Sequence, residues 1–242
     1  MADARRGLRR FGMVVALMFV ALVAVALVAP QPVRAATITI NAGFDVVAND
    51  GQCNFREAII SANTNLPSGA MAGECIAGSP GADTITTPGG MGAITLTSAL
   101  PAVTENLTIT AVGLYTIDGA NLYRIFDVAA GVNFTIEDFT LINGRVTAVA
   151  DGGAAIRQAA GGNLTVTNVT FTNNVALEAG LTTDNSGGAV RFTGTVGTTA
   201  TFTGGTFTNN RADNGGAIFA EGGGTLRLLS RSATDSGRDS GR

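Results

Sequence analysis

The chain has 242 residues, 33 of them Gly, with 45 % hydrophobic and 14 % charged residues, a composition that buries a core instead of staying disordered. It contains no His, and all 15 basic residues are Arg. Imidazole bases, His metal ligands, Schiff-base lysines and Ser-His-Asp triads are therefore excluded.

Arg5, Arg6, Arg9 and Arg10 precede an uncharged run from Phe11 to Ala29, followed by Pro30, Pro32 and the small-residue site Val33-Arg34-Ala35. This is the layout of a secretory signal over residues 1–35. The apolar run also has the length of an uncleaved membrane anchor, but the site directly after it favours cleavage. Cleavage leaves 10 Arg against 17 acids over residues 36–242, a net charge of −7. Such a surface suits neither nucleic acid nor anionic lipid. The expected location is extracellular or on the cell surface, with no membrane segment once the signal is removed.

Residues 36–80 read as an N-terminal cap region. Ala36-Thr-Ile-Thr-Ile40 alternates like a strand. Cys53 and Cys75 are the only cysteines, and export to oxidising conditions predicts that they pair. That bridge would contribute about 3 kcal/mol by loop entropy. Asn54 as N-cap with Glu57 three positions on has capping-box spacing, and Phe55, Ile59 and Ala62 then share a face, which predicts a short helix over 55–63. Tethered by the disulfide, such a helix would cover the first coil of a repeat array, whose apolar layer and strand edges need protection. A surface helix in a loop is the alternative.

Residues 81–229 contain short alternating strands and a repeated unit. Asn133–Asn143, Asn163–Asn173 and Ala200–Asn209 superpose, with the repeated Asn at 143, 173 and 209 and Gly pairs at 152/153, 187/188 and 215/216. Unequal steps around a constant core place insertions in loops at about 144–152 and 175–186. Leu164, Val166, Val169 and Phe171 follow strand periodicity, and hairpin signals are scarce. Coiling the chain so that like positions stack satisfies both facts. The predicted fold is an all-β, right-handed parallel β-helix with a short N-terminal capping α-helix. The Asn pairs 173/174 and 209/210 are then turn residues that bond along the coil axis. Asn-x-Thr at 106, 133, 163 and 168 is explained by Thr-rich strands without glycosylation. After Leu226 the chain turns to Arg, Ser, Asp and Gly, so residues 230–242 read as a disordered or truncated tail.

Two stretches carry resemblances. Thr37-Ile-Thr-Ile, Asp50-Gly-x-Cys53-Asn-Phe-Arg-Glu-Ala58-Ile, Asn63, Cys75, Gly81-Ala-Asp-Thr-Ile85, Leu100-Pro and Asn106-Leu-Thr-Ile together resemble the CSLREC-type N-terminal region of secreted bacterial β-helix proteins. Asn54, Phe55 and Ala58 depart from the name-giving hexapeptide, the last removing a cysteine. Gly187-Gly-Ala-Val190 with Phe171-Thr-Asn-Asn174, and Gly215-Gly-Ala-Ile218 with Phe207-Thr-Asn-Asn210, resemble the GGAI and FxxN repeats of polymorphic outer-membrane proteins. That resemblance implies a β-helix with an adhesin-like role at a surface.

The carboxylates are the remaining source of chemistry, since β-helix enzymes process acidic polysaccharides. The clusters are Asp118 with Asp127, Glu137 with Asp138, and Asp45 with Asp50; Arg124 or Arg145 could serve as a lyase base only by elimination. If the protein were an enzyme, Asp118, Asp127, Asp138 and Arg145 would be its candidates. Glycosidase chemistry needs two carboxyls flanking a sugar, and nothing in the sequence brings a pair together. No cofactor motif, metal-ligand set or calcium repeat is present. The expected function is a secreted or cell-surface structural or binding module, adhesive or glycan-associated, with extracellular polysaccharide or surface components as partners. The rival readings are a polysaccharide lyase or glycoside hydrolase, and a truncated non-functional fragment. With no Trp and only Tyr115 and Tyr123, the capacity to stack sugars is small.

Overall fold

A computed structural model describes residues 34–148, 151–177, 185–229 and 232–234. The expected leader falls almost wholly outside these residues, as do parts of both inserted loops. In chain order the first half forms β1 (Thr37–Thr39), α1 (Phe55–Thr64), β2 (Asp83–Thr87), β3 (Ala93–Thr95), β4 (Leu107–Asp118), β5 (Phe126–Val128), β6 (Phe134–Ile142), β7 (Arg145–Val146) and β8 (Ile156–Gln158). The second half adds β9 (Leu164–Thr167), β10 (Thr170–Thr172), β11 (Val175–Ala176), β12 (Val190–Gly194), β13 (Thr199–Thr203), β14 (Thr206–Thr208), β15 (Arg211–Ala212), β16 (Ile218–Gly222), β17 (Thr225–Leu229) and β18 (Ser232–Thr234).

Every pairing between these strands is parallel, and each joins a strand to its counterpart one coil away. The result is a parallel β-helix with three faces. A broad sheet runs β1-β2-β4-β6-β10-β14-β18, with β3, β9, β13 and β17 attached; a short sheet holds β7, β11 and β15; a third sheet runs β5-β8-β12-β16. The broad sheet bends along its length where register shifts between Thr110 and Tyr115. At the same level Asp138, Asn168 and Gly204 adopt left-handed backbone, with φ of 63°, 52° and 64°. A short polar side chain or Gly tolerates that conformation, which explains the recurring Asx and Gly there.

Period-two alternation sends one set of side chains inward. Ile38, Ile85, Ile109, Ile136, Val166 and Phe202 stack in register and are buried, although the steps between them are 47, 24, 27, 30 and 36 residues. Phe139, Phe171 and Phe207 are likewise buried, and the rings of Phe171 and Phe207 stack at 4.7 Å, nearly parallel. Insertions leave the stack intact because they exit at the turns. The longest step contains α1, and β1 pairs with β2 across it. The strand stack thus starts at residue 37, ahead of the helix and of residue 81, where the repeat pattern becomes visible in sequence. At the other end β18 pairs with β14 inside the segment read as tail; residues 230, 231 and 235–242 lie outside those described.

Turns are held by side chains that reach the next coil. Asn174 Oδ1 accepts from Gly144 N at 2.8 Å and its Nδ2 donates to Leu141 O at 3.0 Å, while Asn174 N and Nδ2 both donate to Asn210 Oδ1. Both asparagines are fully buried, so these bonds satisfy groups that would otherwise be costly to bury. On the surface Asn106, Asn133 and Asn163 form a second ladder, each Oδ1 accepting a backbone N–H of the coil above. Gly152 is required by close approach: a Cβ there would meet Ser186 O at 1.7 Å.

The cap region is tied down at several points. Asn54 accepts from Glu57 N at 3.1 Å, and Glu57 Oε2 accepts from Asn54 N at 3.2 Å, closing a capping box. Cys53 and Cys75 are disulfide-bonded. Phe55 projects from the first turn of α1 into the interior, its ring 6.0–6.4 Å from those of Phe126, Phe139 and Tyr115. The Arg56 guanidinium pairs bidentately with Asp45 at 2.7 and 2.8 Å and donates to Ser98 O and Ala99 O. Desolvation alone would raise the Asp45 carboxyl, but its bonds to Arg56 and Thr97 and the Arg56 charge hold it below the usual carboxylate range.

Candidate functional site: the outer faces of the coil

The carboxylates nominated from sequence are divided between the broad sheet, the third sheet and the cap. Asp118 ends β4 and accepts from Ala120 N at 2.8 Å and Asn143 Nδ2 at 3.0 Å. Asp138 sits at the bend of the broad sheet and accepts from Asn168 Nδ2 at 2.6 Å. Asp118 lies opposite Ile142, four residues beyond Asp138. Asp127 belongs to the third sheet and Arg145 to the short sheet. Of the remaining candidates, Asp45 is engaged in the cap and Asp50 accepts from Gln52 N at 3.0 Å. Of the residues nominated from sequence, Arg124 and Asp127 come within 3.7 Å of each other, while Asp118, Asp138 and Arg145 stand on other strands. Among the described residues no His, Cys, Asp or Glu cluster could hold a metal ion, and no helix is long and apolar enough to cross a membrane.

The structure assembles a charged network around Asp127 and Arg124, to which it adds Arg157 and Asp151, neither of them picked out from the sequence. Arg157 pairs with Asp127 through two bonds of 2.7 and 2.6 Å. Arg124 reaches Asp151 at 2.5 Å and donates to the carbonyls of Gly152 and Gly153. Burial pushes the Asp151 carboxyl up, but the Arg124 hydrogen bond and charge, Gly152 N–H and Arg157 more than offset it and hold it low. The Asp127 hydrogen bond raises the Arg157 guanidinium further. One coil on, Arg191 pairs with Glu221 at 2.7 Å. A signal for this strip existed: after the Gly pairs, Arg157, Arg191 and Phe219 occupy one register column with Asp127. Each guanidinium already has a carboxylate, so the strip is self-neutralising and is not an anion site.

A shallow depression of about 340 Å³ is lined by Pro80, Gly81, Glu105, Asn106, Gly131 and Val132. Its carboxylate, Glu105, already accepts from Asn65 Nδ2 at 3.1 Å and Gly81 N at 3.5 Å.

The broad sheet's outer face is of a different kind. Thr37, Thr84, Thr108, Thr135, Thr165 and Thr201 lie side by side in one column. Two residues along each strand stands a second column of Thr39, Thr86, Thr110, Glu137, Thr167 and Thr203. All are partly or fully exposed.

Residues 168–193 and 204–221 match the Chlamydia polymorphic membrane protein repeat. The matches cover β10 to β12 and β14 to β16 with their Asn and Gly turns. No curated protein and no solved structure matches the chain. In two of its coils this chain is thus similar to the repeat of a membrane-protein family, and the similarity falls on the turns and strands that define the coil.

Proposed function

We infer that the protein is an exported, surface-associated β-helix whose coils form an adhesive or binding scaffold. The observation that carries this reading is the polymorphic membrane protein repeat match on consecutive coils. Further support comes from the disulfide, which suits an oxidising compartment. In this reading residues 1–35 are the leader, 36–80 a CSLREC-type cap, 81–229 the coils and 230–242 a tail. The partners are extracellular polysaccharide or other surface components, met by the outer faces and the inserted loops. The test is to express the full chain with an epitope near its C-terminus and to treat intact cells with a protease that cannot enter them. Loss of the epitope from intact cells, or its release into the medium, together with an N-terminus at Ala36, is expected. A protected, cytosolic chain beginning at Met1 would overturn the reading.

A further inference from the structure

The two threonine columns need an explanation beyond strand propensity. Outward positions of a parallel β-helix accept any β-branched, aromatic or charged residue, and the third sheet uses that freedom with Asp127, Arg157, Arg191 and Phe219 in one column. On the broad sheet six successive coils place Thr at eleven of twelve sites, whereas the inward position between them varies from Ile to Val to Phe. The constant element is therefore the outer one. Among the described residues none of the eleven hydroxyls makes a hydrogen bond to a protein group, unlike Thr206, which donates to Thr170 at 3.3 Å on the neighbouring facet. Glu137 interrupts the second column, and on the coil after β13 the two columns end at Arg227 and Leu229 of β17.

Geometry turns this composition into a net. Adjacent coils are about 4.8 Å apart, and residues two apart on a strand are separated by about 6.6 Å. The pairing continues without a slip from Thr37 to Thr201 in the first column and from Thr39 to Thr203 in the second. Thr is stiff about χ1, so each side chain presents its hydroxyl and methyl from few rotamers and little order is lost when a ligand arrives. A rectangular net of hydroxyls with these two repeats approximates the oxygen net on a prism face of ice. The methyls between the hydroxyls offer water no competing strong partner, so water bonded to the face takes its spacing from the net. Each hydroxyl contributes little, but eleven engaged together act multivalently.

We propose that this face binds ice, an activity independent of whether the protein is surface-displayed. The full-length exported protein is tested by incorporation into a slowly grown ice hemisphere and by inhibition of ice recrystallisation. Enrichment in the ice several-fold above a reference protein of similar size is expected, with recrystallisation slowed. The variant Thr135→Tyr/Thr165→Tyr puts two rings above the centre of the net while keeping strand-forming residues, and should fall to the reference level. Glu137→Thr completes the second column and should raise incorporation; Arg191→Ala, on the third sheet, should leave it unchanged. Circular dichroism and thermal melting establish that each variant is folded, and Glu137→Thr remains informative if the Tyr variant is not. Exclusion of the wild type from ice, or equal incorporation of a folded Tyr variant, would overturn the proposal. So would retention on microcrystalline cellulose or chitin with exclusion from ice, which would assign the net to a crystalline polysaccharide.

Discussion

Phe55 and Leu228 are large apolar side chains at opposite ends of the described coil, yet Phe55 is fully buried while Leu228 is 54 % exposed. Leu228 continues the inward column directly after Phe202, its register partner in β13, and Phe202 is buried. The difference lies in the cover each residue receives. α1 brings Phe55 onto three aromatic rings and is itself held by a capping box, a disulfide and a bidentate ion pair. Along β17 every residue is exposed. In a solenoid, burial is conferred by the neighbouring coil, so one apolar residue contributes very differently according to whether it is covered.

Arg56→Ala should break the covered end most severely, leaving Asp45 buried without its partner at about 3–5 kcal/mol. Phe55→Ala should cost a similar 3–5 kcal/mol through the cavity left among Phe126, Phe139 and Tyr115. Denaturant unfolding with a probe at the cap measures both, and a loss below 1 kcal/mol for either would show that α1 is not integral to the stack. Joint replacement of Cys53 and Cys75 by Ser should cost about 3 kcal/mol. The same loss should appear on reducing the wild type and be absent on reducing the variant.

Acid sharpens the contrast between the ends. The folded Asp45 carboxyl lies below its ordinary value, so its contribution is complete above pH about 4 and is lost as pH falls through the lowered folded value. Acid titration of the wild type should show cap stability declining in that window, and Asp45→Asn should flatten the decline while lowering stability at neutral pH. At the weak end of the comparison, Leu228→Ala should change stability by no more than about 0.5 kcal/mol, as measured by thermal melting. A large loss would mean that Leu228 is covered in solution.

Much of the fold was legible because a solenoid stacks like on like. Asn143, Asn173 and Asn209 recur in sequence and reappear as left-handed turn residues. The capping spacing of Asn54 and Glu57 marked α1 to within a residue of its end. Partnership between residues distant in sequence was not legible. Arg157 with Asp127, Arg124 with Asp151, and Arg56 with Asp45 are 30, 27 and 11 residues apart, and no local pattern marks one carboxylate over another as the partner. The start of the stack at β1 was hidden by the 47-residue step across α1.

The sequence alone determined the alternation, the turn chemistry and hence the coil, because strand period and left-handed turn preference are local properties that each repeat restates. Only the tertiary structure decided which residues stand side by side on the outer faces. Coils of unequal length come into register through their paired strands, and that register aligned the threonines into a net, dispersed Asp118, Asp127, Asp138 and Arg145, and coupled the arginines to acids one coil away.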